Sequence, residues 1–436
     1  MSDHFARREF LKAAALTAAP ALLKSQSPNE RLRVGWIATG SRGQFVMKQM
    51  YLLSKDIVNV TAICDTYQGN LNTGKDIVQS NEPGTTPKTY AAYRELLADP
   101  NVDVVFISSP EHLHYPMAMQ AIAAKKHIYL EKPIAHTIEE GQEIVEASEK
   151  SGRVLQVGTQ NRSNKLYIRA KEMVQNGDIG EVHYVRAFWY RNFDAHADPS
   201  KTTPAAWRYV IPSDATPENT DWDKFLEGSD HKNIGFSKER YFQWRNYWDY
   251  SGGISTDLLV HQTDISNFVC NRTVPFSCMA SGGVYQWGKE YQDDREVPDT
   301  MSAIYEYPDR FHLNYSCYFG NDQYGYGEQF LGHDGTIEVM DRQNLHFYPQ
   351  PKFIKNHPPF SKQTEVHLNY IKDFNQPDAT ADHVRNFLLA VLGKEKAIAP
   401  ARAGQIAAIP GHLATLSYKK DHKVFWDPTT NKVHYS

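Results

Sequence analysis

Cysteine is scarce in this chain. Four residues, Cys64, Cys270, Cys278 and Cys317, occur in 436, and no two of them form a CxxC pair. That pattern excludes a disulfide framework and leaves the fold to apolar packing. Long apolar runs are scarcer still. Past the first two dozen residues none is long enough for a membrane helix, so nothing membrane-spanning is expected there. A basic stripe is also missing: 47 Lys and Arg stand against 51 Asp and Glu, a formal net charge of −4. Nucleic-acid binding needs clustered Lys and Arg for the phosphates, so that class is excluded. Aromatic side chains, by contrast, are plentiful at 12%, and they crowd the second half, as in RYFQWRNYWDY from Arg240 to Tyr250. Aromatic faces pack on sugar C–H surfaces as well as in cores, and most of these are read as core. The length suits two domains, and a hydrophobic content of 41% supplies ample core.

One apolar run does stand near the first residue. In ARREFLKAAALTAAPALL, Ala6 to Leu23, the pair Arg7-Arg8 precedes Phe10, Leu11, Lys12 and an alanine-rich stretch ending in Ala19-Pro20-Ala21. A charged front, a short apolar run and small residues make an export signal of the twin-arginine type, rather than an ordinary amphipathic helix. That route carries proteins already folded, often around a cofactor. Residues 1–27 are therefore expected to be signal and linker. The mature protein is expected in the periplasm, or attached to the membrane if the signal is not cleaved after Ala21.

Leu32 to Ala38 reads as a buried strand and Gly43 to Leu53 as an amphipathic helix. Between them, Ala38-Thr39-Gly40-Ser41-Arg42-Gly43 matches the G-x-G-x-x-G turn with alanine in the first place. Gly40 lets the backbone approach a pyrophosphate, Gly43 lets the helix pack on the strand, and the helix N-terminus offers free N–H groups. The strand IVNVTAICD ends at Asp65, the spacing at which an acid accepts ribose hydroxyls and repels a 2′-phosphate, so NAD is expected rather than NADP. Further strands, VDVVFISSP, KHIYLEKP and RVLQVGTQ, alternate with helices near 90–97, 115–124 and 137–150. That alternation builds a doubly wound parallel sheet whose ligand lies outside the strand carboxyl ends. The nucleotide-binding domain is placed at 28–157 and a second domain at 158–436.

With LEKPIAHTIEEG, SSPEHLH and VLQVGTQNRS beside the glycine turn, the chain resembles the Gfo/Idh/MocA family of oxidoreductases. WDYSGGISTDLLVHQTD and HVRNFLLAV resemble exported members of that family. The resemblance implies a catalytic set of Lys132, from Glu-Lys-Pro, with Asp257 and His261. It is matched by the residues: STDLLVHQTDISNFV reads as a helix on which Asp257, His261 and Asp264 share a face. A metal site is not expected, since HExxH and a cysteine partner are both missing. The cofactor set is Ala38, Gly40, Ser41, Arg42, Gly43, Asp65, Ser109, Pro110, His112, His114, Glu131, Lys132 and Gln160. Arg162, Trp207, Arg208, Arg245 and Tyr250 are candidates for the sugar.

After a helix near Lys165 to Gln175, the second domain shows alternating runs such as IGEVHYVRAFWYR, TMSAIYEYP, FHLNYSCYF and EQFLGHDGTIEVM. These read as an open, mostly antiparallel sheet, followed by helices near 382–393 and 402–417. The family resemblance implies homo-oligomer contacts on that sheet. The long irregular stretch Asp194 to Asp249 is expected to shape a site. An exported, NAD-dependent oxidoreductase acting on a secondary hydroxyl of a sugar or polyol is the leading reading, with the cofactor held tightly because free NAD is scarce outside the cytoplasm. Two alternatives remain open: a redox-neutral glycoside hydrolase or lyase working by transient oxidation of the sugar, and a non-catalytic sugar-binding protein.

Overall fold

Leu32–Ile37 (β1) is an apolar run buried almost throughout, as a strand covered on both faces must be. A computed structural model describes residues 31–193, 206–287, 293–350, 366–375 and 378–436; the signal and linker expected at 1–27 lie outside the described residues. β1 leads through the glycine turn into the helix Ser41–Ser54. Val58–Cys64 (β2), Lys88–Tyr90 (β3), Val104–Ile107 (β4), His127–Leu130 (β5) and Leu155–Val157 (β6) complete a six-stranded sheet. Its order is β3-β2-β1-β4-β5-β6, with every pairing parallel. The order reverses between β1 and β4, which opens a crevice at their carboxyl ends.

Two glycines of the turn act differently. A methyl on Gly43 would overlap the Ala38 carbonyl oxygen and reach within 3.1 Å of Trp36 Nε1, whereas one on Gly40 would meet only Asn70 Nδ2 at 3.6 Å. Gly43 is therefore needed for helix-on-strand packing, and Gly40 faces open space. Ala38 itself adopts φ +66°, the left-handed region in which a side chain costs about 1 kcal/mol.

The second sheet has ten strands: Val182–Tyr190 (β7), Ser277–Gly283 (β8), Thr300–Tyr307 (β9), Phe311–Tyr318 (β10), Tyr326–Gly332 (β11), Gly335–Met340 (β12), Asn344–Pro349 (β13), Val366–Asn369 (β14), Val424–Asp427 (β15) and Lys432–Tyr435 (β16). Their order is β14-β13-β12-β11-β7-β10-β9-β8-β15-β16, antiparallel except for β7 with β10. Strict alternation along β10, buried at every second residue, gives the sheet one packed and one open face. Helices Lys165–Gln175 and Val260–Cys270 cover the packed face.

The chain then returns to the first sheet. Helix Thr380–Val391 sets Phe387 edge-on to Phe106 and Tyr129, each at 5.6 Å. Helix Ala401–Lys420 runs between the two sheets: Gly404 abuts Val157 of β6, and Gly411 abuts the Ser255 carbonyl ahead of helix Val260–Cys270. Both closing helices cover the segments expected for them, lengthened or shifted by one to three residues at their ends.

Gly43→Ala is expected to lower stability by about 1–3 kcal/mol through overpacking against backbone, while Gly40→Ala changes it by less than about 0.5 kcal/mol. Urea denaturation of the two variants measures the difference. Equal effects would contradict the division of roles between the two glycines.

Candidate active site

The strand ends converge as the parallel sheet requires. Arg42, in the first turn of its helix, donates from Nε to Glu131 Oε1 at 2.9 Å and from Nη2 to Gln160 Oε1 at 3.4 Å. One guanidinium thus ties the glycine turn to the ends of β5 and β6. Asp65, past the end of β2, accepts from the Thr39 N–H at 2.7 Å and the Tyr67 N–H at 2.9 Å. Burial pushes its pKa up against those two bonds. Longer contacts from Thr39 Oγ1 and Asn70 Nδ2, both at 3.4 Å, and from Tyr241 Oη at 3.5 Å take up the carboxylate's other acceptor positions, so Asp65 braces the turn.

Beyond Glu131, the Lys132–Pro133 bond is cis. The Lys132 ammonium donates to Asp257 Oδ1 at 2.8 Å and to the Asp257 carbonyl at 2.6 Å. Arg245 Nε donates to the same Oδ1 at 3.1 Å. Burial alone would favour the neutral acid, but these two cations outweigh it and hold Asp257 below the ordinary carboxylate range. Asp257 sits in a π-helical turn, Ser255–Leu259, that runs directly into the helix Val260–Cys270 bearing His261. No His261–Asp257 hydrogen bond forms: the π turn leaves the Asp257 carboxylate to Lys132 and Arg245. His261 Nδ1 is sealed from water without a partner, whereas Nε2 is not among the sealed atoms. Burial first, then the charges of Arg342 and Lys132, keep its pKa well below the usual histidine value.

Glu111, one residue past Pro110, is a functional position the sequence reading passed over for its histidine neighbours. Its carboxylate is almost fully buried and accepts from Ser251 Oγ at 2.9 Å, the Gly252 N–H at 3.0 Å and Thr256 Oγ1 at 2.7 Å. His136 Nδ1 lies 3.8 Å away. Burial favours the neutral acid, yet His136 and the Gly252 N–H hold the pKa below the usual value. Glu111 therefore anchors the turn immediately before Asp257 to the first sheet.

Several candidates are not brought into this group. Arg162 clamps Asp264, with Nε at 2.9 Å and Nη2 at 2.6 Å, so neither faces the crevice as the shared helix face suggested. Trp207 packs edge-on to Phe319 at 5.3 Å, and Arg208 is held by Asp293 and Asp294, each at 2.6 Å. Tyr250 is wholly buried between His112 and Phe225, each at 4.9 Å. His112 Nε2 lies 2.7 Å from the Phe225 carbonyl, and burial pushes its pKa down to about 3. Both ring nitrogens of His114 face carbonyls, of Pro133 at 2.6 Å and Ser109 at 3.0 Å. These imidazoles brace loops and leave the crevice to their neighbours.

The described part of the long irregular stretch, 206–249, lies across the end of β2 like a strap. The Asp221 N–H donates to Thr66 O at 2.7 Å and the Gln68 N–H to Asn219 O at 3.0 Å. Tyr67 Oη donates to Asp214 at 2.7 Å, and Tyr241 Oη pairs with Thr66 Oγ1 at 2.6 Å.

The crevice suits a dinucleotide. The helix Ser41–Ser54 has no side-chain cap on its first N–H groups, and Gly40 leaves open space beside them. At the ends of β4 and β6, Ser108 Oγ, Ser109 Oγ and Asn161 Nδ2 are buried without partners, polar atoms that a bound nucleotide would satisfy.

Glu111→Ala leaves two hydroxyls and an N–H unpaired, and is expected to cost about 3 kcal/mol or more. Urea denaturation reads the loss. A change under about 0.5 kcal/mol would show that Glu111 anchors nothing.

Comparison with known proteins agrees with this geometry. Residues 32–159 match a family model described as oxidoreductase family, NAD-binding Rossmann fold, and residues 229–425 match its C-terminal alpha/beta domain. Inositol 2-dehydrogenase of Salmonella typhimurium is 32% identical over 150 residues, 34% of this chain and 42% of that protein. A glycosyl hydrolase family 109 protein of Shewanella baltica is 30% identical over 182 residues, 41% of this chain and 39% of that protein. The matched stretches thus span about two fifths of those relatives' own lengths. Levoglucosan dehydrogenase, solved with NADH and levoglucosan, shares the fold at a TM-score of 0.66 and 17% identity, covering 91% of this chain and 99% of that one. With both of its domains matched, the chain belongs to the Gfo/Idh/MocA family of NAD-binding oxidoreductases.

Proposed function

We propose that this protein oxidises or reduces a secondary hydroxyl of a sugar, polyol or derivative, with NAD held tightly through the cycle. The observation that carries the reading is the convergence of Lys132, Asp257 and His261 beside the glycine-turn crevice. Bound there, NAD supplies a hydride acceptor or donor. His261, kept neutral, takes the hydroxyl proton at Nε2. Lys132 has three N–H donors and Asp257 engages two, so the third steadies the substrate oxygen as charge develops on it. Asp257, ionised between two cations, keeps the Lys132 ammonium aimed.

The strap over β2 supports a captive cofactor, because leaving the adenosine end of the crevice requires breaking its bonds to residues 66–68. A captive cofactor fits export by the twin-arginine route, in which the loaded protein crosses the membrane folded. A homo-oligomer through the open sheet face is favoured by exposed Tyr184, Met279, Ile304 and Leu331, which share that face.

A second reading has one specific support, the likeness to a glycosyl hydrolase family 109 protein. Transient oxidation of the sugar, elimination of its glycosidic substituent and return of the hydride would leave the redox balance at zero. Release of a free sugar from a glycoside without added NAD distinguishes this from net oxidation.

Lys132→Ala is expected to stay folded and to lose about 10²–10⁴ in kcat/KM on the best sugar found; full activity would sink the assignment. Because His261 binds its proton only below the usual histidine range, the acid limb of kcat/KM should fall below about pH 6.5. An acid limb at or above that value would place the base elsewhere. Denaturing the dialysed protein should release near-stoichiometric nicotinamide nucleotide, whereas an empty protein that works on added NAD would be a conventional dehydrogenase.

A further inference from the structure

The packed face of the second sheet carries positive charge that the catalytic set does not use. Trp189 of β7 and Tyr326 of β11 are register partners, stacked at 4.5 Å and 14°. The Trp189 ring lies 6.2 Å from the His261 ring, nearly parallel to it. Two guanidinium groups rest on this aromatic pair. Arg342 Cζ is 4.9 Å from Trp189 and 5.3 Å from Tyr326, and Arg191 Cζ is 5.0 Å and 5.9 Å from the same rings.

Among the described residues neither has a carboxylate in ion-pair contact. Arg342 Nε and Nη2 are sealed from water with no acceptor. Among the described residues, no side chain pairs with the Arg191 guanidinium. The nearby acids do not compensate. Asp257 already serves Lys132 and Arg245. The Glu328 carboxyl accepts the Tyr167 hydroxyl at 2.6 Å and makes no ion pair with Arg342, and burial pushes its pKa up to about 8 against the pull of Arg342, so it favours the neutral acid. A cation–π contact is worth about 0.5–2 kcal/mol, too little to balance the sealed edge of the Arg342 guanidinium, while the exposed Arg191 adds a second positive charge beside it.

Arg342 is also held in place. It occupies the β12–β13 turn at φ +58°, with its carbonyl accepting from Asn164 Nδ2 at 3.0 Å. The next carbonyl, of Gln343, accepts from the Tyr370 N–H at 2.7 Å. Elsewhere in this chain, Arg162 grips the Asp264 carboxylate through Nε and Nη2, the same guanidinium edge that has no acceptor in Arg342.

We propose that Arg342 and Arg191 receive an oxyanion substituent of the substrate, a carboxylate or a sulfate ester on the sugar, and so hold the ring with its reacting hydroxyl toward Lys132 and His261. The proposal rests on the reading of the site as a sugar oxidoreductase. It narrows the substrate class from sugars in general to acidic sugars.

Calorimetric titration of the full chain with methyl β-D-glucoside, methyl β-D-glucuronide and glucose 6-sulfate tests it, with nicotinamide absorbance followed in parallel. The expected result is binding of at least one charged sugar about tenfold to a hundredfold tighter than the neutral one. Which charged sugar wins separates carboxylate from sulfate. Arg342→Met should bring the charged-to-neutral ratio close to one. Arg191→Met, at an exposed position where folding is not at risk, should lower it as well. Equal binding of neutral and charged sugars, no saturable binding of either oxyanion, or a preference that survives both substitutions would overturn the proposal. Preferential binding without any nicotinamide redox change would leave the anion site standing and refute the oxidoreductase reading instead.

Discussion

The ammonium of Lys132 lies between the carboxylate and the carbonyl of Asp257, and the two residues come from different parts of the fold. Lys132 follows a strand of the nucleotide-binding sheet, while Asp257 lies in the π turn that leads into the helix packed on the second sheet. A buried ion pair contributes little net stability once desolvation is counted, so its value lies in registry. It fixes where the second sheet's helix stands relative to the crevice, and hence where His261 points. Arg245 completes an arrangement of two cations on one anion, and in the proposed reaction the net positive charge would face the oxygen on which negative charge develops.

Other features serve that same registry. Glu111 holds the turn before Asp257 from the first sheet, and Gly411 lets the long closing helix meet the Ser255 carbonyl directly. Arg42 links the glycine turn to Glu131, the residue beside Lys132. The dinucleotide crevice and the proposed proton-transfer residues are therefore connected through fixed contacts, the condition under which oriented charges lower a barrier without reorganising. The strap over β2 extends these contacts past Asp65, and the aromatic pair Trp189–Tyr326 with its two arginines lies beside His261, where the proposed substrate would sit.

Much of this was legible in the sequence because it is local. The glycine turn, Asp65 at the end of β2, the Glu-Lys-Pro motif and the Asp257–His261 spacing each lie within one short segment, and periodicity identifies their elements. Residues whose role depends on distant partners were not legible. Arg162 looked free for substrate, but Asp264, 102 residues on, takes its guanidinium edge. Asp264 shares the helical spacing of His261 yet is consumed by that pair. Tyr250 and Trp207 belong to cores that exist only after the strap folds back. Glu111 stands within SSPEHLH, but nothing in that motif reveals its role, since its three donors come from residues 251–256. The π turn that separates Asp257 from His261 also has no signature in residue type.

A double-mutant cycle on Lys132 and Asp257, with Lys132→Met, Asp257→Asn and the double variant compared by urea denaturation, isolates the pair itself. If these residues join the two sheets into one reaction centre, the coupling free energy should reach about 2 kcal/mol, within the range found for interacting buried groups. A coupling under about 0.5 kcal/mol, the additivity of independent sites, would mean that the two sheets are positioned by other contacts and that this pair is not the joint of the site.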